Sequence, residues 1–323
     1  MKIKFCLCSL LIIAALSITG CSDIKRKEDI TPVRQYFVNI ATGHADSQDY
    51  LVGATIAEML SKEIPGVNAS AQTTGDQFVS VDLLSKNKAQ IAFLRGDIAF
   101  YAQNGLEMFK DHKAANLKNL ISLYSQTIQI VTLDRTRVKG IEDIKGRRLA
   151  IVGVKGGYEE IAAKQLLKAY GINFEDIIVQ NVNISEAAQN LLQGGTDAIF
   201  VIADCPDDDL QELSRKEQTV FLPLDYQKLA MVIYENPFYV KSNIPTSTYA
   251  RQINNVQTLS LLTMLVANDK IDEDMGYKIA KTIYNNYGKF NNQRISAHLK
   301  NRKQAGEDSG LPINEGAKRF FTE

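Results

Sequence analysis

Tyr36-Phe37-Val38-Asn39-Ile40-Ala41-Thr42, Val67-Asn68-Ala69-Ser70-Ala71-Gln72-Thr73 and Gln90-Ile91-Ala92-Phe93-Leu94 are three β-prone runs, and each is separated from the next by a stretch with helical spacing. In the first gap Val52, Ile56, Met59 and Leu60 fall on one helical face, which Pro65-Gly66 stops. In the second, Asp76 to Lys86 reads as a helix with Val79, Leu83 and Leu84 inward. Strand, helix, strand, helix, strand is the pattern of a parallel sheet covered by helices, because parallel neighbours need a crossover between them.

The pattern then restarts. Leu120 to Thr132 is a long β-prone run, and Leu149 to Val152 is a buried strand. Lys155-Gly156-Gly157 opens a helix with Ile161, Ala162, Leu166 and Ala169 inside and Gly171 at its end. Ile177 to Val182 is a strand, Ser185 caps the following helix with Glu186 in its first turn, Gly194-Gly195 closes it, and Ala198 to Ala203 is a central strand. After Pro223, Lys228 to Tyr234 is β-prone, and Thr258 to Ala267 fits strand or buried helix equally. Asp272 to Tyr287 is an amphipathic helix carrying Met275, Ile279, Ile283 and Tyr287, and Phe320-Phe321 should dock the C-terminus onto the body. The expected class is α/β. Two lobes, 36–127 plus 229–323 and 128–228, each hold a mostly parallel sheet flanked by helices. Crossing strands near Thr127 to Leu133 and Leu224 to Ile233 hinge them.

Upstream, Lys2 and Lys4 precede the apolar run Leu10 to Leu16, which ends at Ile18-Thr19-Gly20-Cys21. A basic start, an apolar core too short to span a bilayer and small residues before a cysteine predict a lipoprotein signal, residues 1–20. Cys21 then carries the lipid, residues 21–35 form a flexible tether, and the mature chain is exported and membrane-anchored, facing the periplasm or cell exterior. With 37 Lys and Arg against 37 Asp and Glu the formal charge is zero, which gives no reason to expect nucleic acid as a partner.

Cys6 and Cys8 leave with the signal, so Cys205 is the only remaining thiol, and His44, His112 and His298 have no ligand spacing. No nucleophile elbow, zinc-protease helix or phosphate loop is present, and Asp207-Asp208-Asp209 lacks the glycine and distal Glu of a calcium loop. The chain is therefore expected to be neither an enzyme nor a holder of a metal or cofactor.

Ligand sites in open α/β sheets lie beyond the carboxyl ends of the strands. That rule selects Thr42, Gly43 and His44 after the first strand, Thr74, Gly75 and Asp76 after the second, and Arg95 and Asp97 after the third. In the second half it selects Gly156, Gly157, Tyr158 and Asp204, with Ser125 on the long run between the halves. Free N–H groups at helix starts attract carboxylate or phosphate, Arg95 could clamp a carboxylate, and Asp97 or Asp204 could hold an ammonium.

These segments, in order, resemble the TAXI solute-binding subunits of TRAP (tripartite ATP-independent periplasmic) transporters. The likeness runs through Ile40-Ala41-Thr42-Gly43, Gln72-Thr73-Thr74-Gly75, Ile91-Ala92-Phe93, Gly96-Asp97-Ile98-Ala99-Phe100-Tyr101-Ala102 and Asn104-Gly105. It continues through Leu120-Ile121-Ser122-Leu123-Tyr124, Ile144-Lys145-Gly146-Arg147-Arg148, Gly194 to Ala198, Tyr249 with Thr258, and Gly316-Ala317-Lys318-Arg319-Phe320-Phe321. The resemblance implies a two-lobed type II periplasmic binding protein fold. It also implies capture of a small anionic or zwitterionic solute, such as glutamate or a dicarboxylate, for a TRAP-type permease. The chain departs from that pattern at Gly43-His44-Ala45-Asp46-Ser47, where the family is glycine-rich, and at Arg95, Tyr158 and Cys205, all at the expected cleft. A stand-alone extracytoplasmic sensor lipoprotein on the same fold is the alternative these departures leave open.

Overall fold

The computed structural model describes residues 35–45, 47–306 and 310–323. The expected signal, the lipidated Cys21 and the tether as far as Arg34 lie outside the described residues. The chain begins β1 (Tyr36–Ala41), α1 (Gln48–Glu63), β2 (Val67–Gln72), α2 (Gln77–Ser85), β3 (Ile91–Arg95) and α3 (Gly96–Asn104). After β4 (Lys118–Leu133) come β5 (Arg148–Val152), α4 (Tyr158–Ala169), β6 (Ile178–Val182), α5 (Ile184–Gln193), β7 (Ala198–Ala203), α6 (Asp208–Lys216) and β8 (Thr219–Phe221). The chain ends with α7 (Ala230–Glu235), β9 (Val240–Ile244), β10 (Val256–Ala267), α8 (Glu273–Asn285), α9 (Gln293–Lys300), α10 (Arg302–Ala305) and α11 (Glu315–Thr322).

The strands form one mixed sheet in the order β2-β1-β3-β10-β4-β7-β5-β6, with β8 beside β4 and β9 beside β10. Two parallel sets, β2-β1-β3 and β7-β5-β6, flank the long pair β10 and β4. Because β10 is antiparallel to both β3 and β4, and β4 is antiparallel to β7, the two parallel sets run in opposite directions. Their carboxyl ends therefore face each other across the middle of β4. That strand pairs with β10 up to Thr127 and with β7 from Thr127 onward.

On one face of the sheet a single core runs across both sets, from Leu94 and Met264 through Ile128 and Ile130 to Phe200 and Ile151, beneath α2, α3 and α4. The other face is divided. One cluster packs α1, α8, α9 and α11 on Val38, Ile40 and Phe93; a separate one packs α5 and α6 on Ile199, Val201 and Ala150. The gap between those two coverings lies over the centre of β4.

Several expectations are corrected by packing. Lys228 to Tyr234 is not a strand but turn and the short helix α7, which buries none of its residues, so the second crossing strand is β10. Ser185 does not cap α5; Asn183 does, accepting from the Glu186 N–H. Val79 faces outward and Val81 takes the inner position on α2 with Leu84. The ambiguous run Thr258 to Ala267 is strand, buried on both faces.

α11 lies so close on α8 that a Cβ at Gly316 would sit 1.7 Å from the Glu273 carbonyl oxygen. Since that obstacle is backbone, Gly316→Ala must push the helices apart. The expected loss is about 1–3 kcal/mol, read as a lower urea midpoint together with faster amide exchange in α11.

Candidate functional site

The predicted residues divide between two places. The first is the meeting of the β1, β2 and β3 ends with the segment after β5. Thr42 is buried and bonds the Gln72 carbonyl through both its N–H (2.8 Å) and its hydroxyl (3.0 Å), tying the β1 loop to the β2 loop. The Thr74 hydroxyl bonds the Thr42 carbonyl and lies 2.8 Å from the Ser80 hydroxyl, while its N–H reaches the Gly43 carbonyl at 3.3 Å. These threonines build the loops and spend their own polar groups on them. Asp76 is the N-cap of α2, accepting from the Val79 N–H at 2.8 Å, and Gly75 holds the left-handed turn before it at φ 78°. His44 is exposed beside that turn.

Arg95 and Asp97 are not two free charges awaiting a guest. Arg95 donates through Nε to Asp97 Oδ1 and through Nη2 to Asp97 Oδ2, both at 2.9 Å, and Asp97 Oδ1 also accepts the Ile98 N–H. Arg95 Nη1 donates to Glu159 Oε1 at 3.1 Å, joining the end of β3 to the first turn of α4. Flanking carboxylates hold the guanidinium well above its ordinary pKa despite its burial. Gly157 is the N-cap of α4, and Gly156 donates its N–H to Glu160 at 3.1 Å. Tyr158 places its ring 6.0 Å from the Arg95 guanidinium carbon, and burial raises its phenol. Nearby, Gln165 of α4 bonds Tyr101 of α3 at 3.0 Å and accepts from Tyr239 at 2.8 Å, so this side of the junction is filled by protein.

The second place is open. In the gap between the two helical coverings, a cavity of about 190 Å³ is lined by Ser47, Gln48, Asp49, Tyr124, Gln126, Asp204, Asn292 and Arg294. It continues into a shallower hollow of about 570 Å³ that shares Gln48, Asp204, Asn292 and Arg294 and reaches Asp207 to Asp209. Ser47 caps α1, which brings Asp49 into the wall; Tyr124 donates to Asp49 Oδ1 at 2.5 Å, and burial raises the Asp49 carboxyl above the usual range. Asp204, just past β7, forms an ion pair with Arg294 of α9. Its loop is pinned from below: Gln129 donates to the Asp204 carbonyl at 2.8 Å and accepts from Tyr249, whose hydroxyl accepts the Asp207 N–H. Ser125 stands exposed on β4 next to the cavity residues Tyr124 and Gln126.

Of the predicted residues only Asp204 lines this cavity. Asp49, Tyr124, Gln126 and Arg294 also line it and are not among the predicted residues; Asp49, the second residue of a capped helix, follows the same helix-start logic that selected Asp76. Asp207 is the N-cap of α6, as expected of a helix-start loop, and among the described residues no cluster fit for a metal is found. Cys205 is half-buried with its thiol pushed up to about 11 by burial, which disfavours the thiolate. A further hollow of about 480 Å³ between α6 and residues 247–253 contains none of the predicted residues.

One group near the cavity carries a pH signal. His298 sits one turn after Arg294 on α9, its Nε2 is buried without a partner, and desolvation lowers its pKa to about 4. The unfolded chain takes up a proton near the ordinary value of about 6.5, so the folded state is favoured most above that pH. The benefit is lost as pH falls toward 4, by at most about 3 kcal/mol. Urea midpoints from pH 8 to 4 should show this slope, and His298→Gln should flatten it.

Residues 40–323 match the family described as NMT1-like. The chain belongs to the NMT1-like family. Among solved structures, this NMT1-like chain is similar to a periplasmic sulfonate-binding protein, SsuA, of Methylobacillus flagellatus. The two are 14% identical, with a TM-score of 0.53 over 88% of this chain and 76% of that one. It is likewise similar to the periplasmic aliphatic sulphonate-binding protein SsuA of Escherichia coli, at 14% identity and TM-score 0.50 over 88% and 82%. A Xanthomonas citri protein bound to ATP gives 7% identity and TM-score 0.50 over 88% and 94%. At such identities the likeness is one of fold: this NMT1-like chain has the α/β fold of periplasmic binding proteins, and relatives of that fold hold unlike molecules.

Proposed function

We propose that this NMT1-like protein is an extracytoplasmic solute-binding protein, not an enzyme, and that the cavity between Asp49, Tyr124, Asp204 and Arg294 receives the solute. The observation that carries this reading is the cavity's position. It lies where the carboxyl ends of the two oppositely directed strand sets face each other, walled by a guanidinium from one helical covering and a carboxylate from the other. Arg294 suits a carboxylate; Asp49 and Asp204 suit an ammonium or a hydroxyl. The solute is therefore a small carboxylated molecule, an amino acid such as glutamate before a dicarboxylate. The two strand sets act as lobes hinged along β4 and β10, and the solute stabilises the closed form through contacts it makes only there.

The order of sequence segments resembling TAXI subunits supports delivery to a TRAP-type permease, and Lys2 through Cys21 support export and lipid anchoring. Thermal unfolding of the chain without its first 34 residues, screened against amino acids, dicarboxylates and sulfonates, tests the binding. At a hundredfold excess over its dissociation constant a true solute adds about 2.7 kcal/mol. No stabilisation by any of the three classes sinks the reading. Solute uptake by cells that an ionophore stops and ATP depletion does not would support the TRAP assignment; the reverse would favour an ATP-driven partner.

A further inference from the structure

Arg95 is 4% exposed and Asp97 2%, and their bidentate pair already neutralises the buried guanidinium. Glu159 adds a second carboxylate, 3.1 Å from Nη1, that neutrality does not require. It comes from the other strand set, and its side chain keeps 20% of its exposure, so it can leave where Asp97 cannot. A glycine makes room for it: a Cβ at Gly153 would stand 2.8 Å from Glu159 Oε2. An arginine that is paired at one edge and presents its other edge to a removable carboxylate has the form of an anion site whose anion is supplied from within.

We propose that the Nη1 edge of Arg95 is an anion subsite for a carboxylate, occupied in this structure by the chain's own Glu159, and that external carboxylates bind there only by exchange with Glu159. This subsite is separate from the Arg294 cavity and does not depend on the solute reading.

The test uses acetate, which has the size of the group removed by Glu159→Ala. Thermal unfolding of the wild type, Glu159→Ala and Glu159→Gln is measured against sodium acetate, with sodium chloride at equal ionic strength as the control. The alanine variant keeps the Arg95–Asp97 pair and so folds. It should show a saturable rise in melting temperature of several degrees that is specific to acetate. The wild type and the glutamine variant, whose space stays filled, should follow the chloride control. An alanine variant that folds only in acetate counts as the same result. No acetate-specific rise, an equal rise in all three proteins, or failure to fold in either salt overturns the proposal.

Discussion

Arg95→Ala should cost about 3–5 kcal/mol of folding stability, the range for breaking a buried ion pair by removing one partner. The loss is large because of what remains: Asp97 at 2% exposure with no cation, and Glu159 beside it. Asp97→Ala should cost less, since Arg95 keeps Glu159. Glu159→Ala should cost least, since the bidentate pair survives. Urea midpoints of the three variants give the order directly. The Arg95→Ala deficit should also narrow in acid, because an unpaired buried carboxylate takes up a proton above its usual range and becomes neutral. Equal losses in all three variants would mean that the triad is ordinary packing.

Arg294→Ala should weaken solute binding by about 30- to 5,000-fold, matching the 2–5 kcal/mol typical of truncating one member of a hydrogen-bonded charge pair at a binding surface. Stability should change little, because the Arg294 side chain keeps 41% exposure. Arg294→Lys retains the charge but not the fork and should recover part of the affinity. Asp204→Asn should weaken an amino acid more than the matching dicarboxylate. Titration calorimetry with whichever solute the thermal screen selects reads all three. Unchanged affinity in Arg294→Ala would place the solute elsewhere.

The sheet was legible because parallel strands buried on both faces read as unbroken apolar runs, as Ile91 to Leu94 and Ala198 to Ala203 do. The segment Lys228 to Tyr234 misled because β-prone side chains fill a six-residue helix that faces solvent. There, local propensity met no packing that could reveal the period. The candidate cavity was legible only at Asp204. The rule of strand ends picks out Asp204 and the Arg95 junction, but it could not foresee that Asp97 and Glu159 would take the guanidinium for themselves. The spacing Arg95-Gly96-Asp97 fits an internal pair as well as a clamp. Arg294 gave no signal, since it lies on a polar C-terminal helix far along the chain from Asp204, and only the folding of α9 over β4 joins them.

The central position of β10 has a consequence for the birth of the molecule. This strand is drawn from the last quarter of the chain, yet it sits between β3 and β4 and is the neighbour both of them need. The joint between β3 and β4 therefore closes only after the polypeptide has been made past Ala267, long after both of those strands. Closure across so much of the chain folds slowly, so β3 and β4 wait for their shared neighbour.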